Sequence, residues 1–155
     1  MWFFAILFGL TFCAICVQIW YNVRNQLTVE QLDQARARWN TKGPASYDLE
    51  YTIRKLDSTE TYDVKVRNGK AVSVTRDGQL LVDRLFAYSE MRALFGFIEE
   101  FLQQDSQPGQ PRTFASATFD ADDGHLLRYV RSVAVKGDRQ EITVTRFERV
   151  SGSSR

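Results

Sequence analysis

The chain has 155 residues, with 20 Lys plus Arg against 19 Asp plus Glu and a formal net charge of +1. That length supports one ordinary domain with its own core, and the balanced charge excludes a protein built around a strongly basic nucleic-acid face. Aromatic residues make up 13% of the chain, which excludes a mainly disordered polar tail.

Met1 to Tyr21 is the most apolar stretch. From Trp2 to Tyr21 only Thr11 and Gln18 carry polar side chains, and no charge precedes Arg24. As a helix this run covers ~30 Å, the hydrocarbon thickness of a bilayer, with Trp2, Trp20 and Tyr21 at interfacial positions. It exceeds a signal-peptide core, and no clean small-x-small cleavage site follows it. Cys13 and Cys16 lie within it, where a thiolate is costly, so they read as small apolar residues on one helix face. Phe12 and Ile15 before them fit a lipoprotein site badly. The expectation is an uncleaved transmembrane anchor over residues 1–21, with the membrane as partner through residues 2–21, and a connector over 22–27. Arg24, Arg36, Arg38 and Lys42 after the span lean toward a cytoplasmic domain, although long C-terminal domains cross largely regardless of flanking charge.

A single domain is expected over 28–150, with a polar tail at 151–155. Thr28-Val29-Glu30-Gln31 is a capping box, flanked by Leu27 and Leu32 at hydrophobic-staple positions. Leu32, Ala35 and Trp39 share one face of the helix that follows, and Gly43-Pro44 stops it. Tyr47, Leu49, Tyr51 and Ile53 alternate with polar residues, as do Tyr62, Val64 and Val66, the period of half-buried strands. Asn68-Gly69 marks a hairpin. A three-residue loop, Arg67 to Gly69, pairs Val64 with Val72 and Tyr62 with Val74, and is preferred to a two-residue loop because it keeps apolar residues on one face. Asp77-Gly78 makes another turn, with a candidate short strand from Leu80 to Val82. Ser89 is expected to cap a second helix, 89–104, whose stripe is Met91, Leu94, Phe95, Ile98, Phe101 and Leu102. Beyond the Pro/Gly-rich loop Asp105 to Pro111, strands are expected at Ala115–Phe119, from Leu127 toward Val135, and at Ile142–Phe147.

Several features recur together in one known group: Trp39 with Ser46-Tyr47 and Tyr51, the strand ending Val66-Arg67-Asn68-Gly69-Lys70-Ala71-Val72-Ser73, Leu94-Phe95 with Ile98, and Phe119-Asp120 with Gly124. The chain resembles an uncharacterised family of bacterial secreted or lipoprotein-type domains of unknown function, over most of residues 32–135. The resemblance implies an exported, envelope-associated domain and tips the expected orientation to extracytoplasmic. Members often carry a cysteine pair near the second strand and a lipoprotein signal. This chain has neither, so no disulfide or lipid role carries over.

Chemistry-bearing patterns are sparse. Asp120 to Gly124 imitates a calcium loop, but its glycine arrives one position early and no Glu follows at position 12, so a solvated β-turn is the simpler reading. His125 is the only histidine. It cannot build a multi-His metal site, and without a nucleophile elbow it reads as a strand-edge residue. Glu99 and Glu100 are adjacent on a helix and diverge. Arg128 and Arg131 are an odd number of residues apart, as are Arg146 and Arg149, so a regular strand splits each pair across faces; the simplest partners for a charged outer face are Glu50, Asp63 and Glu141. An anionic headgroup or acidic partner is the competing reading for these arginines. No catalytic, cofactor-binding or metal residue is assigned, and no cofactor is expected.

These observations define an α+β expectation: an N-terminal transmembrane helix, then an antiparallel sheet of about six strands with two helices, ordered α-β-β-β-α-β-β-β. The expected function is a membrane-anchored, extracytoplasmic, non-enzymatic binding or interaction module with a protein partner at the membrane surface and no nucleic acid. The alternatives are a small hydrolase-like envelope enzyme, which needs His125 to converge with carboxylates such as Asp120 or Asp122, and an accessory subunit of a membrane complex.

Overall fold

The computed structural model describes residues 26–82, 89–134 and 137–150. Helix α1 (Val29–Lys42) leads into strands β1 (Tyr47–Arg54), β2 (Thr59–Arg67), β3 (Lys70–Arg76) and β4 (Gln79–Leu80). Helix α2 (Met91–Asp105) follows, then β5 (Thr113–Phe119), β6 (Leu126–Val133) and β7 (Arg139–Arg149). The seven strands form one sheet in the order β4-β3-β2-β1-β7-β6-β5. Every neighbouring pair is antiparallel. Two meanders, β1–β4 and β5–β7, are therefore joined where the first strand pairs with the last, Tyr47 opposite Arg149.

Alternation along the strands sends one set of side chains inward. Tyr47, Leu49 and Tyr51 on β1, Val64 and Val66 on β2, Val74 on β3, Tyr129 on β6 and Ile142 on β7 are all buried. Leu32, Ala35 and Trp39 of α1 and Met91, Leu94, Phe95, Ile98 and Leu102 of α2 join them in one cluster. Fully burying each large apolar side chain contributes ~1.5–3 kcal/mol, so this shared face decides where both helices sit. The two helices are also tied by Arg36, whose Nη2 donates to Glu99 Oε2 at 2.7 Å and to the Phe95 carbonyl.

The α1 start forms as its sequence dictates. The Gln31 N–H donates to Thr28 Oγ1, and the Thr28 N–H to Gln31 Oε1. Leu27 and Leu32 are buried on either side. Leu27 is part of the core rather than of a free connector, since its N–H also donates to the Ala115 carbonyl at 2.7 Å. Trp39 closes the other end of the helix, edge-on to Tyr47 and Phe147.

Four expectations need correction. Among the described residues the sheet has seven strands rather than about six, because the Asp77-Gly78 turn, with both residues at positive φ, folds Gln79–Leu80 back on β3. No helix among the described residues is long and apolar enough to cross a membrane. The transmembrane, single-pass part of the expected architecture is therefore not carried forward; residues 1–21, assigned to it, lie outside the described residues. Helix α2 begins later than expected: Glu90 is its N-cap and makes no side-chain cap, while Ser89 is buried.

The hairpin register is the fourth. Asn68 and Gly69 sit at φ 51° and 73°, a two-residue turn that pairs Arg67 with Lys70 and Val66 with Ala71. The register then shifts, and Lys65 faces Ser73 while Val64 faces Val74. Val72 is the extra residue and stands 55% exposed. A two-residue turn with both positions left-handed matches the twist of the strands, and one bulged residue restores the apolar pairing that the longer loop was invoked to provide.

Candidate functional site

The helices do not cover the inward face evenly. Between α2 and the β1–β3 side of the sheet an open groove of about 650 Å³ remains. On one wall, Tyr51 and Tyr62 are direct cross-strand partners and stack in parallel, centroids 5.0 Å apart at 5°. Both rings are held by their hydroxyls. Tyr62 donates to Glu60 Oε2 at 2.9 Å and receives a hydrogen bond from Arg76, while the Ser89 side chain hydrogen-bonds Tyr51. Burial, then Tyr62, pushes the Tyr51 phenol well above its ordinary range; burial, then Glu60, raises Tyr62. Ile53 and Leu81 extend this wall.

The opposite wall is α2, with Ala93, Leu94, Gly96, Phe97 and Glu100. Phe97 is 36% exposed, and its ring stands edge-on against Phe101, centroids 4.5 Å apart. Arg131 lies 4.6 Å above the Phe101 ring and donates through Nε to Asp105 Oδ2 at 2.8 Å, which fixes the end of the helix. Gly96 is exposed in the helix interior, and a Cβ there meets no atom within 4 Å. Glycine at such a position costs ~1 kcal/mol relative to alanine. Lys55 and Glu100 also line the groove, and neither forms an ion pair with any described residue.

Sequence reasoning passed over Phe97 and Gly96. Phe97 lies off the i, i+3, i+4 stripe, and an apolar residue off the stripe next to a mid-helix glycine is the signal that could have marked the site. Glu99 and Glu100 do diverge: Glu99 faces Arg36 on α1, whereas Glu100 faces the groove.

The residues at the β5–β6 turn form a second constellation. Asp120 Oδ1 accepts the N–H groups of Asp122 and Asp123, and the Asp120 and Gly124 backbones close the turn. Asp123, Gly124 and His125 are buried, so this is not the solvated turn or the strand edge expected for them. Asp123 Oδ1 accepts from the His125 backbone N–H at 3.0 Å and lies 2.6 Å from His125 Nδ1. Asp123 Oδ2 accepts from Arg149 Nη2 at 2.8 Å. The His125 ring stacks on Phe147, centroids 4.2 Å apart. Burial by itself raises the Asp123 carboxyl, but the His125 backbone N–H, its ring and Arg149 together hold it below the usual range.

Asp120, Asp123 and His125 bring one ligand atom each within 4.8 Å of one another. Those oxygens already serve backbone N–H groups, His125 and Arg149, so the arrangement acts as an internal clasp. It pins the turn against α1: a Cβ at Gly124 would collide with the Ala35 carbonyl oxygen and come within 2.9 Å of the Arg38 Cβ. Asp122, the carboxylate expected beside His125, contributes only its backbone N–H. Among the described residues, no Ser, Thr or Cys side chain bonds to His125.

The remaining arginines split as their spacing requires. Arg128 meets Glu141 and Arg146 meets Asp63 and Glu50 on the outer face, whereas Arg131 meets Asp105 and Arg149 meets Asp123.

Fold and groove together define a small α+β domain, one antiparallel sheet with two helices on its apolar face. The chain belongs to a family of unknown function, DUF6174, whose signature matches residues 31–110. The groove residues on β1–β3 and α2 lie inside that match, whereas Gln140, which also lines the groove, and the Asp123–His125 clasp lie outside it. No curated protein matches the chain.

Proposed function

We propose that this protein is a non-enzymatic binding module whose site is the groove between α2 and β1–β3, and that its ligand is a small molecule with a flat apolar body. The observation that carries this reading is Phe97, left 36% exposed on a wall facing the stacked, hydroxyl-anchored Tyr51–Tyr62 pair. Holding both tyrosines through hydrogen bonds supports a site whose shape exists before the ligand arrives. The groove volume of about 650 Å³ falls in the range of small-molecule sites, ~300–1,000 Å³. Lys55 and Glu100 at its rim offer one uncommitted charge of each sign for substituents on the ligand.

The hydrolase-like alternative has less support. The Asp123–His125 pair has an orienting carboxylate but no nucleophile partner among the described residues, and His125 does not line the groove. The test is a titration of the isotope-labelled full chain with indole, followed by amide nitrogen–proton shifts. Saturable shifts concentrated at Tyr51, Tyr62, Leu81, Gly96 and Phe97 are expected. Shifts confined to His125 and its neighbours, or none at all, overturn the reading.

A further inference from the structure

We infer that Gly96 is the specificity-determining position of the groove, the point where the flat body of the ligand lies directly against the α2 backbone; this rests on the binding reading above. In a helix interior glycine costs ~1 kcal/mol relative to alanine, a cost that a packing or turn requirement would explain. Neither is present. Gly96 has ordinary helical backbone, and a Cβ built on it meets nothing within 4 Å. The fold itself has room for any small side chain at this place.

What a side chain there would fill is the groove. Gly96 is one of its lining residues, flanked along α2 by Ala93, Phe97 and Glu100. The facing wall is rigid, because the Tyr51 and Tyr62 rings stack on each other, centroids 5.0 Å apart and within 5° of parallel. A ring-bearing ligand laid between that wall and the helix gains most contact where the helix presents backbone rather than a side chain. Small residues elsewhere on the same wall are accounted for differently: Ala93 is partly buried, whereas Gly96 is exposed. With the part-exposed Phe97 ring beside that strip of bare backbone, the occupant that fits is a small planar molecule, such as an aromatic or fused-ring compound.

The inference sets stability and binding in opposition, which makes it testable. Gly96→Ala in the full chain is expected to raise the melting temperature by about 3 °C, since it removes a helix-interior glycine without a clash. The same change is expected to weaken indole binding at least ~10-fold, read from the shifts of Tyr62 and Phe97 amides. If wild type binds in the groove and Gly96→Ala binds equally well, the inference is overturned while the binding reading survives. If the wild-type groove amides do not respond to indole, both fail. If those amides shift with protein concentration alone and not with indole, the groove is covered by a second copy, and the small-molecule assignment is overturned. A Gly96→Ala variant that melts lower than wild type contradicts the claim that the glycine has no role inside the fold.

Discussion

The hydroxyl of Tyr47 on β1 accepts the backbone N–H of Met91 at 3.2 Å, so a strand residue caps the first turn of α2 from within the core. Glu90 at the N-cap position offers no side-chain bond, and the free amide is satisfied across 44 residues of sequence. One phenol thereby couples the centre of the sheet to the helix that forms a wall of the groove.

Tyr47→Phe leaves that buried N–H without an acceptor and is expected to cost about 1–2 kcal/mol in denaturant unfolding. Its pH dependence follows from burial, which pushes the Tyr47 phenol up to about 12 against the opposing pull of the Met91 N–H. The folded value lies above the unfolded one, so the contribution is complete below about pH 10 and is lost as pH rises toward 12. Stability should fall by roughly 1.4 kcal/mol per pH unit in that window from this group alone. Tyr51 and Tyr129, also raised by burial, steepen the fall. Tyr47→Phe should show a shallower alkaline slope; an unchanged slope contradicts the burial of this phenol, and an unchanged stability near neutral pH contradicts the capping role.

Asp123→Ala removes the acceptor shared by His125 and Arg149. A loss of about 3 kcal/mol is expected, because buried donors are left without partners. The carboxyl titrates below its ordinary range in the folded state, so its contribution is present above about pH 4 and disappears as pH falls below that value. Acid unfolding of Asp123→Ala should therefore lose this component of the pH slope, which chemical denaturation at several pH values will show.

Two glycines with similar backbone separate strain from collision. Gly109 has φ +87° and open space around its Cβ direction, whereas Gly124 has φ +80° and faces the α1 backbone. Gly109→Ala should cost about 1 kcal/mol, and Gly124→Ala at least ~3 kcal/mol because α1 must also move. Equal losses would mean that the β5–β6 turn does not bear on α1.

Phe97→Ser tests the groove without touching the core. Its side chain is partly exposed and packs edge-on against Phe101, so a stability change within about 1 kcal/mol is expected. Indole shifts at Tyr51 and Tyr62 should nonetheless weaken several-fold. Undiminished shifts would place the probe elsewhere.

Local rules made much of the fold legible. The Thr28–Gln31 box, the strand alternation and the α2 stripe depend on neighbours in sequence, and the structure follows them. Parity along a strand was enough to separate Arg128 from Arg131 and Arg146 from Arg149. What stayed hidden depends on pairs distant in sequence. The capping of Met91 by Tyr47 and the clasp of Asp123 by Arg149 arise only because β7 returns to pair with β1. The bulge at Val72 is not legible from turn length alone, since a bulged two-residue turn and a three-residue loop both keep the apolar residues on one face. The groove is not legible either, because it is defined by what α2 fails to cover, and the sequence marks it only by Phe97 off the stripe and Gly96 beside it.

The central claim is that the α2/β1–β3 groove holds a flat apolar molecule. Intermolecular nuclear Overhauser contacts between indole and the labelled full chain test it most directly. Contacts from the indole ring to Tyr62, Leu81 and Phe97 side chains, and to the Gly96 α-protons, are the expected result. Contacts found only around Trp39 and Pro44, or only at the His125 clasp, would contradict it.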